Sequence, residues 1–533
     1  MLKWAPEIPD ERALQSLRSG LGLVGSGCTE DFTTRLVPRG GRGCVNPHRA
    51  LVSSDFARST ESFLHPALLS AEQRQLRKHG TYSRRPPYLT PDDTGVSLDV
   101  LVRRYFEPHV CRMVHGEALR VADNAVMGLY DVRQGGLQLC SLRDAHESFL
   151  KSRTGLGWPI FSSDPQFYPQ VCAMSATLIR AGYPTESIYY YPGCIGIRGQ
   201  PRGNGPFCKF RAIYQGSRVI GNLEKMVQIP VLNALRHCEV FCAWAGKDFV
   251  DAAVTRLMRT SKLPLVSIDF AGFDASIPEG VIRRIFNLIK TWFDRPWHGH
   301  INYLRDVFCS CGIFTPNGFY EGEGRSGGVP SGSVLTNLID SLVNLWLVHY
   351  AATVSGGRVL DALVQGDDGV YRLHKTTLAR ISDVLLTEFG MVLSVEKSLV
   401  STSEVQFLQN VHSRDFKVNG TYVGVRPLMR VLNGMMSYED VNRRWDKSFD
   451  SYRWLQQLEN ASTHPSFNLA CKWLLEKDAC MESAIVAILE NRRSVLDAVR
   501  AALCGKYEWG KVAVDGLLTT KVFQQMLTIL RVS

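Results

Sequence analysis

Across its 533 residues the sequence has no C-x-x-C pair and no evenly spaced cysteine framework, although it contains 14 cysteines. Scattered thiols of this kind point to a reduced, cytosolic setting in which disulfides do not hold the fold. Long apolar runs are also missing. The most apolar long stretch, Leu338 to Val354, is interrupted by Asp340, Asn344 and His349 and is too short to span a bilayer. The opening MLKWAPEIPDER has neither a basic region nor an apolar run before a cleavage site, so neither a signal peptide nor membrane insertion is expected. The chain lacks G-x4-G-K-S/T, H-E-x-x-H and G-x-S-x-G, which withholds support from a helicase-type ATPase and from the common hydrolases. His298-x-His300 and Cys309-x-Cys311 fit no common structural zinc spacing. There are no internal repeats and no coiled-coil heptads.

What is present is ordinary globular material. Hydrophobic residues make up 45% and charged residues 21%, enough apolar surface to bury a sizeable core, and the length calls for several lobes. The balance of 61 basic against 51 acidic residues leaves a net charge of +10, which suits a polyanionic partner without demanding one.

The first hundred residues, with GLGLVGSG, RLVPRGGRG and SRRPPYLTPDD, are rich in Gly, Pro and Arg and read as an extended, partly irregular arm. From about 100 to 229 short helical patterns mix with Gly-rich loops. An apolar run ending in acid follows (PLVSIDF), then a Gly-Ser loop entering a long helix, then VQGDDGVY. Thr376 to Phe389 sets Leu378, Ile381, Val384, Leu385 and Phe389 on one helical face. Beyond about Val431 the patterns are mostly helical. Strands alternating with helices imply an α+β or α/β core.

The sharpest local signal is Gly366-Asp367-Asp368-Gly369 between two apolar segments. Two strands joined by a tight turn would lift both carboxylates to the turn, glycine tolerating the backbone angles required. An ordinary Asp-Gly hairpin turn has the same pattern. Adjacent acids repel, however, and a divalent cation is the usual remedy. Asp269 ends the apolar run Leu263 to Ile268 and Asp274 follows five positions later. An acid ending a buried strand can share a metal with an acid on a neighbouring hairpin, and phosphoryl transfer uses metal pairs roughly 3.5–4 Å apart. Between the two acidic sites, Gly328 to Thr336 form a loop running into a helix that carries Thr336, Asp340 and Asn344 on one face. The remaining faces are apolar, so this polar stripe on a buried helix needs partners, which a ribose and an RNA backbone would supply. Upstream, FCKFRAI alternates so that Lys209 and Arg211 share one strand face, with Arg198, Arg202 and Arg218 nearby. A solvated strand face has the same alternation.

In this order, D-x4-D at Asp269 and Asp274, S-G-x3-T-x3-D-S-x2-N from Ser331 to Asn344, and G-D-D at 366–368 closely resemble motifs A, B and C of viral RNA-dependent RNA polymerases. Asp at position 340, where many positive-strand RNA viruses have Asn, is more similar to double-stranded RNA viruses of the picobirnavirus and partitivirus kind. The resemblance spans roughly 151–430. It implies an α+β right-hand polymerase with fingers at 101–262, a palm at 263–430 holding a fingers insertion at about 280–325, a helical thumb at 431–533 and an encircling N-terminal arm at 1–100.

It also implies roles. Asp269 and Asp367 would hold two Mg2+ ions, with Mn2+ as the substitute ion and Asp368 supporting the second acid. Asp274, Thr336, Asp340 and Asn344 would surround the nucleotide ribose, and Ser331 and Gly332 would form a flexible loop following the template. The segment with Lys209 and Arg211 resembles motif F, which meets the incoming triphosphate and base, with Arg198, Arg202 and Arg218 as RNA contacts. Lys151 to Pro159, including Thr154 and Gly155, resembles the template-entry motif G. Lys397 occupies the place of the motif D lysine, a proton donor to pyrophosphate, or else pairs with Glu396 at the surface. Phe407-Leu408-Gln409 resembles motif E, with Asn410 where a basic residue is usual.

The implied partners are template and product RNA, nucleoside triphosphates and viral capsid protein, with no membrane, for a monomer working in the virion interior and host cytoplasm. The rival readings are a reverse transcriptase and a non-enzymatic RNA-packaging or capsid-associated protein. The acid at 274, the stripe at 336 and 340, and Gly366 in place of an aromatic residue speak against the reverse transcriptase.

Overall fold

A computed structural model of the chain describes residues 4–5, 44–45, 66–79, 102–438 apart from 151–154, 161, 163, 202–207, 261, 316–317, 321, 323–324 and 395–396, and then 447–490 and 519–532. The chain forms two compact units, Met1–Arg39 with Leu98–Gly196 and Ala212–Leu408, and Gly40–Ser97 with Ile197–Arg211 and Gln409–Ser533. These limits differ from the expected ones. The first hundred residues are divided between the units, and the stretch after Leu408 groups with the C-terminal helices rather than with the palm. Among the described residues no helix is long and apolar enough to cross a membrane.

The first unit is built around α1 (Arg218–Leu235), β1 (Leu265–Ile268), α2 (Thr336–Val354), β2 (Arg358–Gln365), β3 (Asp368–His374) and β4 (Leu399–Ser401). The four strands make one antiparallel sheet in the order β4-β1-β3-β2. All four residues of β1 are buried, which its unbroken apolar run requires of a central strand.

Helix α2 is buried along nearly its whole length, as its apolar composition predicts. Trp346 and Tyr350 stack on it with ring centres 5.3 Å apart, and Phe389 meets Tyr350 edge-on at 5.2 Å. The buried indole N–H of Trp346 donates to Asp123 (2.9 Å), whose carboxylate also takes both arms of Arg284 (2.8 and 2.6 Å). The polar edge of the aromatic cluster is thereby satisfied. The helix expected before Phe389 forms over Leu378–Phe389 and ends at Gly390, in the left-handed conformation with φ +66°.

A second sheet of this unit joins Trp4–Ala5, Gly318–Tyr320, Ile313–Thr315 and the base of the hairpin made by Gly193–Pro201 and Cys208–Gln215. The stretch expected as a fingers insertion thus contributes two strands to the sheet of the basic hairpin.

The second unit has its own core, in which Leu428, Trp454, Phe467, Met481 and Phe523 come from five helices. Part of the expected irregular arm is ordered here: Pro66–His79 is a helix whose Leu68 and Ala71 pack on Val411, Phe416 and Val425 of the hairpin Asn410–Val425. From the same helix the buried Glu72 accepts the backbone N–H groups of Leu428 (2.5 Å) and Met429 (2.8 Å) and faces His464 Nε2 at 3.0 Å. A carboxylate at the start of Leu428–Met436 meets donors that a helix leaves without intrahelical partners.

Replacing Glu72 by Ala strands these buried donors, each costing about 1–3 kcal/mol. The full chain with Glu72→Ala is therefore expected to unfold at lower denaturant than wild type, and Glu72→Gln at an intermediate concentration. Coincident unfolding curves for all three would remove Glu72 from the core of the second unit.

Candidate active site

The sheet explains how the acids meet. Gln365 of β2 pairs with Asp368 of β3, leaving Gly366 and Asp367 as a two-residue turn. Gly366 has φ +59°, a conformation a side chain would resist. On the other side of β3, β1 pairs with Ile268 opposite Gly369, so Asp269 leaves β1 at the same sheet end as the turn. The register thus brings Asp269, Asp367 and Asp368 to one edge.

The turn is held from below by α2. Ser341 Oγ accepts the Gly366 N–H (2.8 Å), and Asn344 Nδ2 donates to the Gly366 carbonyl (2.9 Å). The other end of the Asn344 amide accepts the Tyr371 hydroxyl (2.8 Å). Asn344, expected at the ribose, is fully buried and engaged at both ends by the protein. That is a correction: helical spacing gave its face but could not show which group would come to rest against it. Ser341 carried no role in the sequence reading, although it stands inside the recognised pattern.

Thr336 opens α2, and its hydroxyl lies within reach of the carbonyls of Pro330 (2.6 Å) and Ser333 (2.9 Å), closing the preceding loop. Asp340 is the member of the stripe left over. It is 5% exposed, and Oδ1 is wholly occluded without a hydrogen-bond partner among the described residues. Burial raises its pKa well above the usual carboxylate range, and the charges of Asp274 and Asp367 raise it further. Those three acids therefore share one neighbourhood. Asp274 lies on the short helix Phe273–Ser276, and its carbonyl accepts the N–H of Val329 (2.7 Å), tying it to the loop before α2.

That loop, expected to be flexible, is bonded to its surroundings at several points. Ser331 Oγ accepts the Tyr214 N–H (3.0 Å), and a Cβ on Gly332 would fall 1.7 Å from the Tyr214 carbonyl oxygen, so only glycine fits. Glu224 of α1, missed in the sequence for want of any signal beyond its helix, takes the Ser333 hydroxyl (2.5 Å) and the Val334 N–H (2.9 Å). Beside Asp269, Lys397 places Nζ 2.6 Å from Oδ1, with its side chain about half exposed. Of its two expected surroundings the first acid, Asp269, is the neighbour seen, and Glu396 lies outside the described residues.

The RNA-contact residues are less uniform. Arg218 is buried, its guanidinium 3.7 Å from the centre of the Phe149 ring, so it supports the loop instead of standing open to RNA. Gly155 is half-buried beside Gln215, and Leu156 accepts the Arg218 N–H (2.8 Å), which brings the end of the motif G segment against the start of α1. Arg198 lies on Gly193–Pro201, and Lys209 and Arg211 on Cys208–Gln215. Their side chains, with Thr154 and Arg202 altogether, lie outside the described residues. His300 Nε2 donates to the Leu223 carbonyl (2.9 Å) and Nδ1 accepts the Tyr183 hydroxyl, which leaves its ring committed to the core.

No group of three or more His, Cys, Asp or Glu side chains closes into a metal cage among the described residues. Mg2+ is commonly held by one or two carboxylates with phosphate and water oxygens, a hard-oxygen set that Asp269 and Asp367 can supply. The ammonium drawn to Asp269 marks this edge as cation-attracting.

A two-residue acidic hairpin turn beside a strand-ending Asp, backed by a buried helix, is the palm arrangement of right-hand polymerases, and the whole chain has that fold. It superposes on the crystal structure of the RNA-dependent RNA polymerase of a human picobirnavirus with a TM-score of 0.71 at 18% identity, covering 95% of this chain and 97% of that one. Residues 224–464 match the viral RNA-dependent RNA polymerase family model. It is 29% identical over 286 residues to a potential RNA-dependent RNA polymerase of human picobirnavirus (strain Human/Thailand/Hy005102/-), covering 51% of this chain and 52% of the relative. It is 30% identical over 179 residues to the RNA-directed RNA polymerase of Cryptosporidium parvum virus 1, covering 32% and 31%. The chain thus spans about half the length of the first of these relatives and a third of the second.

Glu224 yields a prediction about stability. Burial raises its pKa from the ordinary 4.5 to about 7, against the lowering effect of Ser333 and Val334. Between those values the folded chain keeps a proton that the unfolded chain has released, so stability is full below pH 4.5 and is lost as pH rises through about 7. The loss is on the order of 3 kcal/mol. Glu224→Gln cannot ionise, and its melting temperature is expected to fall less than that of wild type between pH 5 and 8. Parallel pH profiles would show that Glu224 does not carry this dependence.

Proposed function

We propose that the chain is an RNA-directed RNA polymerase of a double-stranded RNA virus, joining nucleoside triphosphates to an RNA 3′-hydroxyl on an RNA template. The observation that carries the reading is the β1–β3 register, Ile268 opposite Gly369, which supports Asp269 and Asp367 as joint metal ligands. When bound, two Mg2+ ions, or Mn2+ in their place, would neutralise the phosphates and activate the attacking hydroxyl.

The chain's own groups do the rest. Ser341 and Asn344 hold the turn that aims Asp367, and Asp368 braces the first position of β3. Asp274, with Asp340 and Thr336 behind it, receives the ribose 2′-hydroxyl. Lys397, beside Asp269, donates a proton to the departing pyrophosphate. Lys209 and Arg211 meet the triphosphate and base, Arg198 and Arg202 the RNA backbone, and Thr154 and Gly155 the entering template. In the same proposal capsid protein is a partner and the virion interior and host cytoplasm are the place of action, for a chain acting as a monomer.

Asp367→Ala and Asp269→Ala are expected to lower labelled-nucleotide incorporation by at least about 10³-fold, the scale on which lost transition-state stabilisation reads. Melting temperature should hold or rise for Asp367→Ala, which relieves carboxylate repulsion, and change little for Asp269→Ala, where that relief is offset by loss of the half-exposed Lys397 pair. Incorporation near the wild-type rate by either folded variant would sink the metal assignment and return the acids to a structural role in an RNA-packaging protein.

Sugar choice separates this reading from a reverse transcriptase. Wild type is expected to prefer a ribonucleotide over its deoxy analogue by up to about 10⁴-fold, and Asp274→Ala to give up much of that preference. The measurement is the ratio of kcat/KM for the two substrates on one RNA template. A wild type indifferent to the sugar would favour the rival class.

A further inference from the structure

We propose that Tyr105, far from every recognised motif, is a sugar-recognition residue whose phenol hydroxyl donates to the 2′-hydroxyl of the incoming ribonucleotide. The inference rests on the reading of Asp274 and Asp340 as the ribose site. It starts from the loop that enters α2. A Cβ on Gly328 would lie 2.3 Å from the Tyr105 ring, and Gly328 has φ +80°, so the ring occupies ground that any other residue would need. The same loop is bonded on its other side to the acid-bearing segment, Gly328 N–H to Ile277 (2.8 Å) and Val329 N–H to Asp274 (2.7 Å). The backbone of Tyr105 is fixed as well, its carbonyl accepting the Ser326 N–H (3.2 Å). Arg325 completes the seat, with its guanidinium 5.8 Å from the ring centre and bonded to the Gly328 carbonyl (2.7 Å).

Tyr105 is 4% exposed, and in the same neighbourhood Asp340 Oδ1 is occluded without a hydrogen-bond partner among the described residues. A buried carboxyl oxygen without a protein partner, beside a ring that carries a hydroxyl, is what a site for a small hydroxyl requires, since leaving that oxygen unmet would cost stability for nothing. The electrostatics agree. Burial raises the Tyr105 pKa above its ordinary value, and the charges of Asp274 and Asp340 raise it further against Arg325, so the group stays a phenol and a donor.

The chemistry then points to one ligand group. A 2′-hydroxyl both gives and accepts hydrogen bonds. Asp274 takes its proton, and a site of carboxylates alone would leave its lone pairs unmet. Tyr105 supplies the donor. A deoxyribose offers neither half of the pair and strands both groups.

The test is single-nucleotide incorporation on one RNA primer–template with ATP, 2′-deoxyATP and 3′-deoxyATP. Tyr105→Phe keeps the ring against Gly328 and removes only the hydroxyl. It is expected to lower kcat/KM for ATP and 3′-deoxyATP about 10-fold, the worth of one such hydrogen bond, while leaving 2′-deoxyATP unchanged within about two-fold. Equal losses on all three substrates would make the hydroxyl merely structural, and no loss on any would leave it idle; either result overturns the proposal. Tyr105→Phe combined with Asp274→Ala should lose less than the product of the two single effects, and full multiplicativity would also count against a shared hydroxyl. If Asp274→Ala narrows the sugar preference and Tyr105→Phe does not, only the Tyr105 inference falls. If neither does, the ribose reading falls with it.

Discussion

Everything at the catalytic edge depends on how the peptide of Gly366 is held. The residue sits at φ +59°, in a two-residue turn that must present one carboxylate and begin a strand with another. Left to itself such a turn would be pushed apart by its own charges. Two side chains one helical turn apart on α2, Ser341 and Asn344, bond its N–H and its carbonyl, and Asn344 is in turn fixed by Tyr371 of the strand that follows. The turn is thereby fastened to the most buried helix of the unit, and the helix to the strand. A polar network this deep is stabilising only when every member is satisfied, and these are.

The same helix carries the opposite arrangement four residues earlier. Asp340 Oδ1 has no hydrogen-bond partner among the described residues, and the carboxyl feels the charges of Asp274 and Asp367 and is held at a pKa well above its usual range. One face of one helix therefore contains a satisfied clamp and an unsatisfied acid. The contrast is informative, because evolution can fill an unmet buried acid with an apolar residue at no loss of fold. Retaining it beside a docked loop and a strained glycine concentrates the local cost where a substrate would bind.

Much of this was legible in the residues. The D-x4-D and G-D-D spacings, the apolar run into Asp269 and the all-round apolar pattern of α2 predicted a sheet edge and a buried helix, and both formed as drawn. Periodicity also placed Thr336, Asp340 and Asn344 on one face. It could not say what that face would touch, and two of the three found protein partners. Contacts made across long separations left no local trace: nothing around Tyr105 announces Gly328, nothing around Glu224 announces Ser333, and a Gly- and Pro-rich arm gave little sign that Glu72 would cap a helix beginning at Leu428. Arg218 was misread for a related reason. A basic residue beside a basic strand looks like a phosphate contact until the partner ring, Phe149, is known.

The loop between Gly328 and Thr336 joins these observations. It is held by few and different bonds: a hydroxyl on the Tyr214 amide, a carboxylate on Ser333 and Val334, a carbonyl of Asp274, and a guanidinium on Gly328. Each is a polar contact of modest net worth, on the order of 1 kcal/mol or a little more where a charge takes part. A segment tied in this way keeps one geometry without being locked, since breaking any one contact costs little while the others preserve the register. The helix that follows is the reverse, buried and aromatic along its length. A rigid helix fixing the acids beside a loop that can yield is the division the proposed polymerase would need, because bound metals would have to stay in place while an RNA advanced past them.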